Sequence, residues 1–406
     1  MSDTPSKLQE IVLTSLLVAA ALGLLVSVAP LLRAQTFTTL YTFCSRPACA
    51  DGEAPGAGVI MDKLGNLYGT TELGGASVYG TVFELTPSGT ETVLYNFCSA
   101  SHCTDGQVPS AGLAFGKKGN LYGTTSSGGA YNYGTVFEVT PSGTETVLHS
   151  FASGADGAYP AGGVVFDKKG NLYGTTSAGG AYGAGTVFEI TAKGREKVLH
   201  SFVSNSPDGA FPSSGLVLDA KGNLYGTTSG GGGATGCGTV FEVTPTGTET
   251  VLYSFAGASD GCTPLGGVVF DKSGNLYGTT FAGGLGSCTV PSGCGIVFKL
   301  TPTGAETVLY SFAGGLDAER PRASLVLDAK GNLHGTTSFG GSGGWGTDFE
   351  LMPSGGVWTE TILHSFYEMD YGCPPASGLL RRKEAFYGTT GDYGISGPGT
   401  VYVLTP

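Results

Sequence analysis

The chain has 406 residues, a formal charge of −12 and only 13% charged residues, with 71 glycines and 20 prolines. Its 40% hydrophobic content suffices for a sizeable core, and regular runs of Val, Leu, Phe and Tyr between the glycines speak against disorder. So few cations exclude a phosphate-reading surface, and nucleic acid is not an expected partner.

Residues 11–32 form an uncharged, mostly apolar run between Lys7 and Arg33, followed by Ala34 and Gln35. This reads as an export signal, either a signal peptide cleaved after Ala34 or an uncleaved membrane anchor. The division expected is therefore residues 1–35 for export and residues 36–406 for one folded domain.

A heptapeptide, GNLYGTT, then begins at Gly65, Gly119, Gly170, Gly222 and Gly274. It recurs as GNLHGTT at Gly331 and as EAFYGTT at Glu384. Seven copies at a spacing of roughly 52 residues are long enough for a four-stranded unit each. In the third copy the strands are read as residues 163–166 (a), 172–176 (b), 186–190 (c) and 197–202 (d). Asp167 and Gly170 supply the a to b turn, and Thr-Pro-Ser/Thr-Gly sequences such as Thr140 to Gly143 supply the c to d turn. Ahead of the first strand a, residues 36–43 (TFTTLYTF) match the d strands ending VLYNF and VLHSF. After the last strand c the chain stops. The expectation is an all-β, seven-bladed β-propeller of four-stranded blades, its ring closed by the N-terminal strand d pairing with C-terminal strands a to c. A monomer follows, since closure leaves no open sheet edge.

The units GNLYGTT, GTVFEVTPSGTETVLHSF and DGAYPAGGVVFD resemble the gloeo/verruco (GloVer) tandem-repeat family over about residues 36 to 406. The resemblance implies a repeat-built, exported bacterial protein and transfers no functional residue. The turn DKKGNLYG is also similar to that of NHL-type propellers, which bears on fold alone.

This topology puts the d to a and b to c loops on one face and the a to b and c to d hairpins on the other. Hairpins are nearly invariant among the copies. Length changes collect on the loop face, where binding is expected. All nine cysteines map there. Cys44 with Cys49, Cys98 with Cys103 and Cys288 with Cys294 read as local disulfides, and Cys237 with Cys262 as a fourth, leaving Cys373 unpaired; an oxidising compartment follows, in the periplasm, at the cell surface or outside the cell. A zinc site is disfavoured, as no CxxC pair or histidine cluster accompanies the cysteines.

Aspartates 51, 105, 156, 208, 260, 317 and 370 each precede a proline by four residues. They read as loop-forming acceptors rather than as a calcium-holding ring, the one cofactor the pattern suggests. His149, His200 and His364 occupy the strand d slot of Tyr41, Tyr95, Tyr253 and Tyr310, and His334 replaces the strand b tyrosine. The strand c glutamates (Glu84, Glu138, Glu189, Glu242, Glu350) share their slot with Lys299 and Val403, so they read as a solvated position. No acid and base pair is evident.

Tyr131, Tyr133, Tyr182, Trp345 and Tyr393 in the loops, with Tyr79 and the off-pattern His102, are the candidate ligand-binding residues; inter-blade packing is the competing role for the aromatics. The function expected is a non-enzymatic binding or adhesion module for a glycan, peptide or envelope component. Alternatives are a polysaccharide hydrolase or lyase, with His102, Glu319, Arg320, Arg322 and Glu368 as non-repeating candidates, or a structural surface protein.

Overall fold

The computed structural model describes residues 35–204, 207–289, 292–368, 374–375, 377–391 and 397–405. The expected export segment lies outside them, as do Asp370, Cys373 and Tyr393.

Seven antiparallel sheets each run a, b, c, d from the centre outward. Blade 1 consists of Ile60–Met61, Leu67–Thr71, Thr81–Leu85 and Glu91–Asn96. Blades 2 to 6 repeat this order around b strands at Leu121–Thr125, Leu172–Ala178, Leu224–Gly231, Leu276–Thr280 and Leu333–Gly340. Blade 7 takes Leu380–Arg382, Ala385–Thr390 and Thr400–Thr405 from the C-terminal end and Thr36–Thr42 as its strand d. The expected closure is formed. Strand c (TVFEL) is buried at four of its five residues, with only its glutamate partly exposed, because it lies inside the blade with neighbours on both faces.

Local chemistry follows the expected turns. Asp167 Oδ1 accepts from the amides of Lys169 and Asn171, both at 2.8 Å, and Gly170 takes a φ of 89°. In blade 3 the b strand runs two residues further than expected, to Ala178, because a short extra strand, Ala158–Pro160, pairs with its end.

Two belts join each blade to the next. In the inner belt, the first threonine of each GTT donates from Oγ1 to a carbonyl beside the next blade's strand a. These bonds run Thr70 to Ala111, Thr124 to Gly162, Thr175 to Ser214, Thr227 to Gly266, Thr279 to Ala323 and Thr336 to Ser377. Thr389 completes the circle onto Ala57 at 3.0 Å. The second threonine stays within its blade, as Thr71 does with Thr81 at 2.9 Å.

In the outer belt, the buried phenylalanine that ends each strand d meets the strand c ring of the following blade edge-on. Phe43 with Phe83 (4.9 Å) and Phe255 with Phe298 (5.1 Å) are typical, and Phe366 with Tyr402 (5.4 Å) is the last. The glycine of LYGTT makes room for that strand c ring, since a Cβ on Gly69 would stand 2.6 Å from Phe83 Cζ.

At the perimeter the strand d tyrosine or histidine meets the loop aspartate. Tyr41 donates to Asp51 (2.8 Å), Tyr95 to Asp105 (2.7 Å) and Tyr253 to Asp260 (2.5 Å), while His149 Nε2 lies 3.0 Å from Asp156 and His200 Nε2 lies 3.2 Å from Asp208. Both expectations hold here: these aspartates organise their loops, and these histidines substitute for tyrosine. The glutamate that opens the next blade's strand d is pressed against the same aspartate. Burial, with the neighbouring aspartate charge adding to it, pushes Glu145, Glu249, Glu306 and Glu360 up to about 7.

The closing seam departs from this pattern. Phe37 stands where other blades begin strand d with glutamate, and it stacks on His364 at 4.0 Å. Tyr402 replaces the strand c phenylalanine and donates to Asp348 (2.9 Å), which replaces the strand c valine of blade 6 and is fully buried. The two substitutions answer each other. A buried carboxylate gains the one hydroxyl that reaches it, and burial still pushes Asp348 up to about 7.

Replacing Thr227 or Thr389 by valine should cost about 1–3 kcal/mol each, because a buried carbonyl loses its donor while volume is conserved. Urea denaturation measures this, and an effect near zero for Thr389→Val alone would show that the seventh seam is not made. The perimeter glutamates also set a pH dependence. Carboxyls raised in the folded state contribute stability that is fully present below about 4.5 and lost as pH rises through about 7. His334, pushed down to about 4 by burial, opposes this as one group. The melting temperature at constant ionic strength should therefore be higher at pH 5 than at pH 8; the reverse order would contradict these assignments.

Candidate binding face

The channel along the axis is lined by small residues, among them Gly58, Gly112, Gly163, Gly215, Gly267, Ser324 and Gly378, around a space of about 350 Å³. Neighbouring blades touch backbone to backbone there. A Cβ on Gly163 would stand 2.8 Å from Gly112 O, and one on Gly58 2.9 Å from Gly378 O. Arg322 is the charged side chain of this wall among the described residues. Arg322 and Arg320 lie over the Phe281 ring, at 4.7 and 5.4 Å from its centroid. Glu319 and Arg320 border a separate hollow of about 400 Å³ beside Cys288. His102 sits apart, in the loop between blades 1 and 2, with Nδ1 2.8 Å from Ser101 Oγ.

The loop face contains a feature that the sequence reading passed over. Just before its proline, the d to a loop of each of blades 1 to 6 holds a residue in the left-handed region: Ala54, Val108, Tyr159, Phe211, Thr263 and Arg320, with φ between 55° and 59°. None is glycine, and the β-branched Val108 and Thr263 are unusual there. Such a conformation costs about 1–3 kcal/mol per residue. It is held by a hydrogen bond that its amide N–H donates to the preceding blade, as in Tyr159 N to Tyr133 O (2.9 Å) and Phe211 N to Ala184 O (2.8 Å). The proline then packs on the glycine that opens strand c, so a Cβ on Gly134 would come within 2.6 Å of Pro160 Cδ.

Blade 7 corrects the sequence register. Pro375, not Pro374, packs on the matching Gly346, and Gly391 N bonds to Pro374 O as Glu72 N bonds to Ala54 O. Pro374 therefore takes the variable position, and Asp370 precedes the packing proline by five residues rather than four. The signal was present in the sequence: within D-G-x-x-P, this position takes a different residue in every copy, reading Ala, Val, Tyr, Phe, Thr, Arg and Pro, while the one before it draws on Glu, Gln, Ala and Cys.

Of the expected aromatics, Tyr79 of blade 1 is 41% exposed, and Tyr131 (60%) and Tyr182 (64%) are the more exposed pair. That pair shares the loop face of blades 2 to 4 with Tyr159 (43%) and Phe211 (46%), which were not anticipated. Tyr133 packs edge-on against Tyr159 at 5.6 Å. Trp345 is partly buried against Phe366, Leu379, Phe386 and Tyr402, so its environment is that of inter-blade packing. All four expected disulfides are formed, and Cys237–Cys262 ties the b to c loop of blade 4 to the d to a loop of blade 5.

Strand c glutamates are tied rather than simply solvated: Tyr68 donates to Glu84 at 3.0 Å and Tyr122 to Glu138 at 2.7 Å. On the hairpin face a cleft of about 500 Å³ lies between blades 3 and 4, with Lys168, Lys169 and Lys221 around Tyr173 and Glu189. Tyr173 there is already bonded to Glu189 and to Asp167, both at 3.3 Å.

Among solved structures, the chain is similar to the extracellular domain of BT4673 from B. thetaiotaomicron, described as a one component system. The TM-score is 0.56 and the identity 13%, over 92% of this chain and 42% of that one. A second structure of a BT4673 extracellular domain, described as a hybrid two component system, gives a TM-score of 0.58 and 10% identity over 90% and 39%. The chain spans about two-fifths of the length of these domains, and at such identities the likeness is one of fold. No curated protein matches it. Residues 13–165, 98–291 and 284–406 each match the Gloeobacter/Verrucomicrobia repeat model, and the chain belongs to that repeat family.

Proposed function

We propose that this protein is an exported binding module whose loop face takes a glycan, with the exposed aromatic side chains of blades 2 to 4 as the contact surface. The observation that carries this is the ring of left-handed positions. The fold holds the backbone there at a cost of strain, identically in six blades, while the side chain presented differs in every one. A constant frame with a varied display is the arrangement of a recognition surface rather than of a packing determinant. Tyr131, Tyr159, Tyr182 and Phe211 offer rings to stack on sugars, with the hydroxyls of the tyrosines free to hydrogen-bond at their rim.

Four disulfides on or beside that face suit an oxidising compartment and support export. Glycoside hydrolysis would call for two carboxyls facing each other across a cleft. The described channel wall presents glycine, alanine, serine, aliphatic side chains and Arg322, which favours binding over hydrolysis.

The left-handed backbone allows a sharp test. Glycine relaxes a φ near 58°, so the double variant Tyr159→Gly, Phe211→Gly should fold with equal or higher stability. Screened on a polysaccharide array, it should lose about tenfold or more in affinity for whichever glycan the parent protein binds. A parent protein that binds no glycan, or a variant that binds equally well, would contradict the proposal.

A further inference from the structure

In six blades the second residue of strand b's repeat motif is tyrosine, at positions 68, 122, 173, 225, 277 and 387. In blades 1 and 3, where turn aspartate and strand c glutamate are both present, the hydroxyl bridges them. Tyr68 lies 3.3 Å from Asp62 Oδ2 and 3.0 Å from Glu84 Oε1, and Tyr173 makes the same pair of contacts. Blade 6 keeps both carboxylates, as Asp328 and Glu350, but carries His334 instead. The shorter imidazole stops short. Its Nε2 is 3.7 Å from Asp328 Oδ2 and 3.7 Å from Glu350 Oε1, beyond hydrogen-bond reach. His334 is only 4% exposed, Phe386 covers its ring at a centroid distance of 4.3 Å, and neither ring nitrogen has a hydrogen-bond partner.

We propose that this gap is a metal site, in which His334 Nε2, Asp328 Oδ2 and Glu350 Oε1 hold one divalent transition-metal cation and solvent completes the coordination. The three atoms all lie within 4.8 Å of one another. Ligands about 2.1 Å from zinc at near-tetrahedral angles stand about 3.4 Å apart, so each 3.7 Å separation needs only a small closure. One imidazole with two carboxylates suits zinc, cobalt or manganese better than calcium, which prefers an all-oxygen shell.

The outer shell of the two carboxylates is in place. Asn332 Nδ2 donates to Asp328 Oδ2 (3.1 Å) and Glu350 Oε1 (2.8 Å), and the amides of Lys330 and Asn332 fix Asp328 Oδ1, both at 2.8 Å. Of the opposing charges nearby, Arg381 of blade 7 is drawn toward Glu384 at 3.7 Å, and Lys330 adds a second positive charge near Glu350. The histidine clusters at the perimeter differ, because His149 and His200 already contact Asp156 and Asp208 at 3.0 and 3.2 Å and leave no such gap.

Titration of the purified protein with Co²⁺, followed by visible absorption, and equilibrium dialysis with Zn²⁺ test the assignment. The expected result is one bound equivalent, with Zn²⁺ displacing Co²⁺. His334→Tyr restores the side chain of the other six blades, so it should fold with an unchanged melting temperature in the absence of metal and lose that equivalent. Glu350→Gln should weaken binding by about tenfold or more. The proposal is overturned if the parent protein binds neither ion, which would leave the gap to a water molecule, or if the bound equivalent survives in His334→Tyr.

Discussion

Every part of this structure depends on how closely one blade can approach the next at the axis. The threonine hydroxyl of strand b reaches a carbonyl of the following blade only because that blade's innermost segment carries glycine, alanine or serine there, as at Ala111, Gly162, Ser214 and Gly266. Larger side chains would push the backbones apart and break the bond. The repeat motif is thus a seam motif: its leucine packs in an apolar cluster shared with the preceding blade, its glycine admits the strand c ring, its first threonine holds the neighbouring blade and its second holds strand c to strand b.

With the seams fixed, the loop face becomes a rigid rim. In blades 1 to 6 the d to a loop is tied to the b to c loop of the blade before it through the amide of the left-handed residue and through proline on glycine, in one case also through Cys237–Cys262; blade 7, with Pro374 at the variable position, keeps the proline on glycine. A side chain displayed from such a loop loses little further entropy on binding, so the frame favours preorganised recognition. The opposite face spends its polar groups internally, in Asp-to-amide turns and Tyr-to-Glu pairs, and blade 6 departs from that economy at His334.

The period, the four strands per blade, the closing strand and the disulfide partners were legible from the sequence because each rests on a local pattern or on comparison of repeats. The strand c glutamates were misjudged because a slot that accepts Glu, Lys and Val carries no mark of a fixed partner. Its partner, a tyrosine hydroxyl, sits on the adjacent strand and bonds glutamate while leaving Lys299 to lie over the Tyr277 ring at 5.9 Å. The variable position before the proline was missed for another reason. A non-glycine residue with positive φ leaves no mark in composition, and the extra proline of blade 7 hid the register. Trp345 shows the converse limit, since exposure and inter-blade packing of an aromatic loop residue differ only in three dimensions.

Circular closure is the claim on which all this rests, and native-state hydrogen exchange reads it directly. The amide of Phe43 bonds to Gly399 O across the joint between chain ends, as the amides of Phe97 and Phe151 bond to Gly80 O and Gly134 O within continuous blades, each at 3.0 Å. With the ring closed, Phe43 should exchange as slowly as Phe97 and Phe151, through the same global opening. Exchange at Phe43 faster by orders of magnitude, with Phe97 and Phe151 protected, would show that the first strand is not held and that the ring is open.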